Sequence, residues 1–376
     1  MRRALSIAAA ALALVAATAA PAAAQSTPND EYFGLQWGQQ QIHTPAAWAR
    51  STGAGTTIAI VDSGVDLDHP DLAGKIAGGT TFAGCADQPD GCGNGDWQSG
   101  PPSVGAGDPH GTHVAGIGAA ATGNGIGVAG TAPDAQLLAV KVLGEEGGSF
   151  EEIAAGIRWS ADHGANVINL SLGALPGVQA LEITGVIADA RDAIAYARAK
   201  GAVVVIAAGN EFASLCASPA FNDGALCVTS TDRNELRSSF SNFGVKPDMH
   251  VVAGPGGAAL LACQDDIISS VPPDAEDGFC EESEGTPGYD FYAGTSMATP
   301  HVSGVAALLM AQGRDDDETI SVLESTARKP GVGAVGVPDP VYGYGIVDAD
   351  AATAEPVATL PATTGKKRTG GSKKPS

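Results

Sequence analysis

Four short runs of consecutive apolar residues punctuate the chain: TTIAIV (56–61), LLAVKVL (137–143), NVINLSL (166–172) and AVVVIAA (202–208). Runs of this length without polar alternation predict strands buried on both faces. Between them, residues 110–122, 149–163 and 183–200 have the length and apolar spacing of helices. Buried strands alternating with helices predict an α/β fold, a parallel β-sheet with helices on both faces. Ligands of such sheets gather beyond the carboxyl ends of the strands, so the residues just after each run are the candidates for chemistry. Two stretches break the alternation and read as surface insertions: 83–108, rich in Gly, Asp and Pro, and 254–290, with nine acids. No internal repeat is found.

The two ends differ from this body. Met1-Arg2-Arg3 and the uncharged ALSIAAAALALVAATAAPAAA read as a secretory signal over residues 1–24, with cleavage expected before Gln25. A membrane anchor is the alternative, since the run is long enough to span; its alanine-rich composition and small-residue end favour the signal. No later segment is long and apolar enough to cross a bilayer, so none is expected to remain after cleavage. From residue 353 the chain becomes Ala/Thr/Pro-rich and then Lys/Gly/Ser-rich, and 353–376 reads as a disordered tail.

Composition narrows the partners. The 20 Lys and Arg against 42 Asp and Glu give a net charge of −22, which excludes a general polyanion binder and with it nucleic acid. Residues 25–365 are more acidic still, with 13 basic and 42 acidic groups, a balance of −29. Apolar content of 44% over 376 residues excludes disorder of the bulk, and length alone suggests two domains. Six cysteines, Cys85, Cys92, Cys216, Cys227, Cys263 and Cys280, fit an oxidising compartment. Fifteen pairings are open; neighbours in order are favoured, because each pair brackets a loop-like stretch. A thiolate metal site lacks any CxxC spacing.

Three reactive side chains stand at a strand end or a helix start. Asp62 ends the first buried run and precedes a Ser63-Gly64 turn; His110 opens HGTHVAGIGAAA; Ser296 precedes an apolar helix in GTSMATPHVSG. Singly, each has an ordinary reading as a turn residue, a zinc ligand or a helix cap. His110 and His113 are three apart, whereas the HExxH zinc pair is four apart and includes a glutamate. Jointly they make a different case, because a serine hydroxyl becomes nucleophilic when an imidazole takes its proton and a carboxylate steadies the imidazolium. Asn210, in IAAGN at the end of another run, is a candidate hydrogen-bond donor to a developing oxyanion. Pro300 is placed in the first turn of the helix, where proline is tolerated.

VDSGVDLDHPDLAGK, HGTHVAG, AAGN and GTSMATPHVSG, in the order Asp, His, Ser, resemble the subtilisin-type serine proteases, and the N-terminal region is similar to their thermitase-like members. The resemblance spans residues 28–352 and implies a single catalytic domain over 25–352, which lowers the two-domain expectation. It implies a secreted endopeptidase acting on proteins and peptides, with Ser296 as nucleophile, His110 as general base, Asp62 as its orienter and Asn210 as oxyanion donor. Met297 matches the family's oxidation-sensitive methionine. Ser171, Leu172 and Gly173 match the strand that pairs with substrate backbone, and Gly173, Ala208 and Gly209 would line a primary pocket suited to an apolar or aromatic side chain. The loop from Cys216 to Cys227 would reshape its wall.

A structural Ca²⁺ is also implied, held by the side chains of Asp30, Asp71 and Asn124 and the carbonyls of Ala121, Ile126 and Val128. Asp87, Asp90, Asn94 and Asp96 match no calcium-loop spacing and read as solvated loop residues. Most secreted members carry a propeptide, yet NDEYF follows almost directly on Gln25, so folding without one, or trimming near residues 25–29, is expected. LPATTG (360–365) resembles a sortase signal, but Gly does not follow the first Thr and no hydrophobic stretch precedes the basic end. That basic tail suits weak contact with anionic cell-wall polymers, and a monomer is expected. An acyl-transferring relative would share the same acyl-enzyme, and an α/β-hydrolase esterase is disfavoured because GTSMA is not GxSxG.

The −29 body favours the imidazolium form of His110, the inactive form of a base, and so places the acidic limb of the rate profile at raised pH. Higher ionic strength screens that field, and the limb is expected to move to lower pH. A limb that does not respond to salt refutes the expectation.

Overall fold

A computed structural model describes residues 27–101, 108–145, 147–173, 188–244, 246, 249–259, 262–275, 287–331 and 335–357. The signal segment, the rest of the tail and parts of both insertions lie outside these residues. Strands β1 (Thr57–Asp62), β2 (Ile76–Thr81), β3 (Gln136–Lys141), β4 (Val167–Leu170), β5 (Val203–Ala207), β6 (Ala225–Thr231) and β7 (His250–Pro255) form one parallel sheet in the order β2-β3-β1-β4-β5-β6-β7. β8 (Ile267–Ser270) and β9 (Tyr289–Tyr292) pair as a separate antiparallel hairpin. The helices are α1 (Trp37–Gln41), α2 (Thr44–Ala47), α3 (His110–Ala119), α4 (Phe150–Asp162), α5 (Asp189–Ala199), α6 (Thr295–Met310), α7 (Asp316–Thr326) and α8 (Ala349–Ala354).

The sheet has two covered faces, and strand periodicity assigns residues to them. In β1, Ile58 and Ile60 enter the core shared with α3 and α6, while Ala59 and Val61 enter the core shared with α4 and α5. β5 repeats the division, with Val203 and Val205 on one side and Val204 and Ile206 on the other. Burial on both faces explains why these strands read as unbroken apolar runs.

The four runs become β1, β3, β4 and β5 with ends displaced by no more than two residues. Three further strands carry no such signal. β2 (IAGGTT) is half-exposed at the sheet edge and contains two glycines. β6 (ALCVTST) is fully buried, but Thr229, Ser230 and Thr231 satisfy their hydroxyls with Val252 O, Ser238 and Gln41, so polar residues stand in a buried strand. β7 (HVVAGP) ends in Gly-Pro, which reads as a turn. The 183–200 helix is seen from Asp189, residues 174–187 being outside the described set.

Two expectations are corrected. Pro300 is the sixth residue of α6 rather than part of its first turn. It has no N–H to give to the carbonyl of Ser296 four residues back, and that carbonyl is left open to another donor. The tail does not begin at residue 353: Thr353 is buried within α8, its hydroxyl accepts from Arg50 Nε at 3.1 Å, and Arg314 donates to Glu355 O at 2.6 Å, so the folded body includes these residues.

Cys85–Cys92 and Cys216–Cys227 are disulfides as expected from chain order. Cys263 is also disulfide-bonded, and its expected partner Cys280 lies outside the described residues. The first loop is held further by α4. Ser149 caps that helix through Glu152 N at 3.2 Å, Glu152 Oε2 accepts from Ser149 N at 2.6 Å, and Glu152 Oε1 accepts from Gly84 N at 2.5 Å.

This double use of Glu152 makes it worth more than an ordinary cap. Ser149→Ala is expected to cost about 1 kcal/mol of stability, and Glu152→Ala about 2 kcal/mol because it frees both Ser149 N–H and Gly84 N–H. Urea unfolding measures both, and a Glu152→Ala midpoint equal to that of Ser149→Ala contradicts the shared role.

Candidate active site

Asp62 is the last residue of β1 and has no exposed side-chain surface. Its Oδ1 accepts from His110 Nδ1 at 2.7 Å and from Ser63 N at 2.8 Å, while Oδ2 has no partner among the described residues. The Ser63-Gly64 turn requires glycine: Gly64 has φ +104°, and a Cβ there would lie 2.7 Å from Trp97 Cα. The same Trp97 carbonyl accepts from Nζ of Lys141 at 2.6 Å, a buried lysine that pairs in register with Asp62. Thus the insertion after β2 packs directly on the strand end that carries the carboxylate.

His110 is the first residue of α3, and its backbone N–H donates to Asp108 Oδ1 at 2.8 Å. The side chain is 26% exposed. Burial depresses the ring's basicity, but the Asp62 charge and hydrogen bond, with a smaller contribution from Asp108, outweigh it and raise the pKa above the ordinary 6.5. A carboxylate at Nδ1 selects the tautomer protonated there and leaves Nε2 as the free base. One turn on, His113 is a contrast: buried, with Nε2 between the carbonyls of Ile267 and Asp290, it is pushed down to about 3, by burial first and then by the His110 charge.

Ser296 is the second residue of α6, and among the first fifteen residues of that helix it alone is not buried. Its hydroxyl donates to Ser171 O at 3.1 Å, and the Ser171 hydroxyl donates to Ser296 O at 2.7 Å, filling the position that Pro300 cannot. Among the described hydrogen bonds none joins Ser296 to His110. Asn210 follows the end of β5 by three residues, and its Oδ1 accepts from both Thr295 N at 2.9 Å and Thr295 Oγ1 at 3.0 Å. Thr295 Oγ1 in turn accepts from Gly209 N at 3.1 Å. This chain fixes the amide with Nδ2 as its free end. A Cβ on Gly294 would be 3.5 Å from Ser296 N and 3.6 Å from Asn210 Nδ2, so the absence of a side chain there keeps open a space faced by both donors.

A cleft of about 530 Å³ is lined by His110 together with Ser171, Leu172 and Gly173, Ser218 and Pro219, and Leu143 and Phe150. Ala208 and Gly209, expected to line the primary pocket, are buried. Ala208 O accepts from Ala217 N at 2.7 Å, and a Cβ at Gly209 would lie 3.1 Å from that of Ala217, so these small residues seat the Ala217–Pro219 wall. Cys216–Cys227 anchors the wall to β6, both cysteines being fully buried.

The expected calcium ligands also meet. Asp30 and Asp71 are buried beside a 121–128 loop: Asp30 accepts from Gly123 N, and Asp71 from Val128 N and Asn124 Nδ2, the last two at 2.8 Å. Ala121 N donates to Asp71 O at 2.9 Å, and Ile126 N to Asn124 Oδ1 at 3.0 Å. Burial first, and Asp30 further, push Asp71 up to about 6. Two buried carboxylates that repel each other, with the Asn124 amide beside one of them, form a hard-oxygen donor set whose chemistry fits Ca²⁺. The fit needs Asn124 to present its oxygen, where it now presents Nδ2, toward Asp71.

Thr295, Lys141, Asp108 and the Ala217–Pro219 wall carry no signal in the sequence, because each acts through partners distant along the chain. Thr295 and Asn210 are 85 residues apart.

Comparison with known proteins gives a consistent result. A family model described as "Subtilase family" matches residues 53–345. The chain is 43% identical over 305 residues to thermitase from Thermoactinomyces vulgaris, covering 81% of this chain and 92% of that protein. It is 36% identical over 323 residues to subtilisin BL from Lederbergia lenta, covering 85% and 98%. A solved structure titled for proteases from Pseudoalteromonas arctica PAMC 21717 superposes with a TM-score of 0.70 at 35% identity, covering 88% of this chain and 99% of that one. A lanthipeptide protease shares the fold, with a TM-score of 0.71 at 23% identity and the same coverage.

The geometry predicts that His110 titrates above 6.5 and that Asp62→Asn lowers its pKa by removing both the charge and the charge-assisted bond. A pH titration of the ring proton signals by NMR measures this. A His110 that titrates at or below 6.5 in the intact protein contradicts the arrangement.

Proposed function

The chain belongs to the subtilase family of serine endopeptidases, and we propose that in it Asp62, His110 and Ser296 act as the catalytic triad and Asn210 Nδ2 and Ser296 N–H as the oxyanion hole. The observation that carries this reading is the 2.7 Å bond from the buried Asp62 to a His110 ring that faces the cleft. His110 Nε2 takes the Ser296 proton as Oγ attacks the scissile carbonyl, and returns it to the leaving amine. Water then repeats the attack on the acyl-enzyme with His110 again as base. The oxyanion forms between two donors whose directions are set beforehand, by the helix start and by Thr295, so little reorganisation accompanies the charge.

Substrate binding supplies a trigger in this scheme. The Ser171 carbonyl, which accepts the Ser296 hydroxyl here, belongs to the segment expected to pair with substrate backbone. A substrate N–H that takes this carbonyl displaces the hydroxyl and releases it toward His110. Gly173 and the Ala217–Pro219 wall leave room for an apolar side chain in the residue before the scissile bond. Secretion is supported by the basic-apolar start, small-residue end and disulfides. No helix among the described residues is long and apolar enough to cross a membrane.

Subtilases bind calcium as a family; in this chain the side chains of Asp30, Asp71 and Asn124 and the carbonyls of Ala121, Ile126 and Val128 would hold it. The ion, when bound there, would supply charge that offsets the two carboxylates.

Purified protein is expected to cleave casein and apolar-site peptides, with Ser296→Ala reducing turnover by about 10⁶-fold and Asn210→Ala by about 10²- to 10³-fold, the loss the equivalent asparagine carries in subtilisin. Cleavage that survives Ser296→Ala sinks the reading. A calcium chelator is expected to lower the thermal midpoint by several degrees, as removal of a ligand bound only to the folded state does. Unfolding indifferent to chelator removes the Asp30–Asp71 assignment and leaves the triad untouched.

A further inference from the structure

The cleft carries an imbalance of charge that peptide hydrolysis itself does not need. Among the described residues, Asp108 supplies the one carboxylate in its lining, and neither Lys nor Arg lines it. The residue is exposed, and among the described residues no cation pairs with it. Its Oδ1 is committed to the His110 backbone N–H at 2.8 Å. Lys141, which feels its charge, is buried and spends its ammonium on Trp97 O. The exposed Glu145 stands between Leu143 and Gly147, both cleft residues, and adds to the negative rim.

Position along a bound peptide follows from strand geometry. Successive side chains of an extended chain point to opposite sides. When one side chain enters between Gly173 and the Ser218–Pro219 wall, the side chain of the preceding residue points away from it, which leaves His110 and Asp108, lining the same cleft, as groups it can meet. A carboxylate there without a cation partner is a poor neighbour for an acidic side chain and a good one for a basic one.

We propose that Asp108 is a specificity-determining residue and that the enzyme prefers peptides with Lys or Arg immediately before the residue that fills the primary pocket. This rests on the reading of Ser296 as nucleophile and Ser171–Gly173 as the substrate strand. The Asp108 side chain is exposed and Oδ1 already accepts the His110 N–H, so the contact with a substrate cation is a solvated charge pair, in which the fork of an arginine gains little over the point charge of a lysine. Lys and Arg are therefore accepted about equally. The pair is partly solvated, so the selection is modest.

The test is a set of peptides identical except at that position, carrying Lys, Arg, Gln or Glu, with kcat/KM measured at low salt. Lys and Arg are expected to exceed Gln about fivefold, and Gln to exceed Glu by a similar factor. Asp108→Asn retains an acceptor for the His110 N–H and is expected to bring the Lys/Gln ratio to about one. Salt near 0.5 M is expected to shrink the ratio in the wild type. Glu145→Gln should leave it within about twofold, since that residue contributes only to the diffuse field. Ser296-dependent cleavage with equal rates for Lys and Gln overturns the proposal alone, as does a Lys preference that Asp108→Asn does not change or that Glu145→Gln abolishes equally. Absence of any Ser296-dependent cleavage overturns the underlying reading, and this one with it.

Discussion

The structure turns on a helix with almost no surface. α6 packs against the sheet and against α3, and of its first fifteen residues Ser296 alone reaches toward solvent. A buried helix must have its backbone satisfied, and Pro300 removes one of the internal bonds. The orphaned acceptor is the carbonyl of Ser296, the proposed nucleophile, and the hydroxyl that fills it comes from Ser171 just beyond β4. The interruption that would weaken an ordinary helix here ties the reactive residue to the strand end on which a substrate would lie. Position and alignment of the two are thereby set by one contact.

A second dependence is electrostatic. Asp62, Lys141 and Asp108 crowd the carboxyl ends of β1 and β3 and the start of α3, and each has a designated partner: the imidazole, the Trp97 carbonyl and the His110 backbone N–H. The insertion after β2 supplies the Trp97 carbonyl, and Gly64 is what lets that insertion approach. Disulfide Cys85–Cys92 and Glu152 hold the insertion from its far side. A loop that looks peripheral in the sequence is in this way part of the support for the base.

How much was readable beforehand follows from range along the chain. Strands buried on both faces announce themselves by unbroken apolarity, and so β1, β3, β4 and β5 were legible, while β2, β6 and β7 were hidden by edge exposure, satisfied hydroxyls or a terminal Gly-Pro. Asp62, His110 and Ser296 were legible because each stands in a short motif of its own. What was not legible is what holds them: Thr295 gains meaning from Asn210, Ala208 and Gly209 from Ala217, Glu152 from Gly84. A hydrogen bond from Arg50 moved the start of the tail past Thr353. Local patterns singled out the candidate groups; contacts between distant segments set their directions.

The mutual hydrogen bonds of Ser171 and Ser296 also bear on what the resting protein ignores. On the proposed mechanism, a Ser296 hydroxyl that donates to the Ser171 carbonyl turns toward His110 when a substrate N–H takes that carbonyl. A polypeptide brings such an N–H with every residue except proline, and an ester without amide groups brings none. The same mechanism would make the site respond to the form of an extended chain before it responds to any side chain.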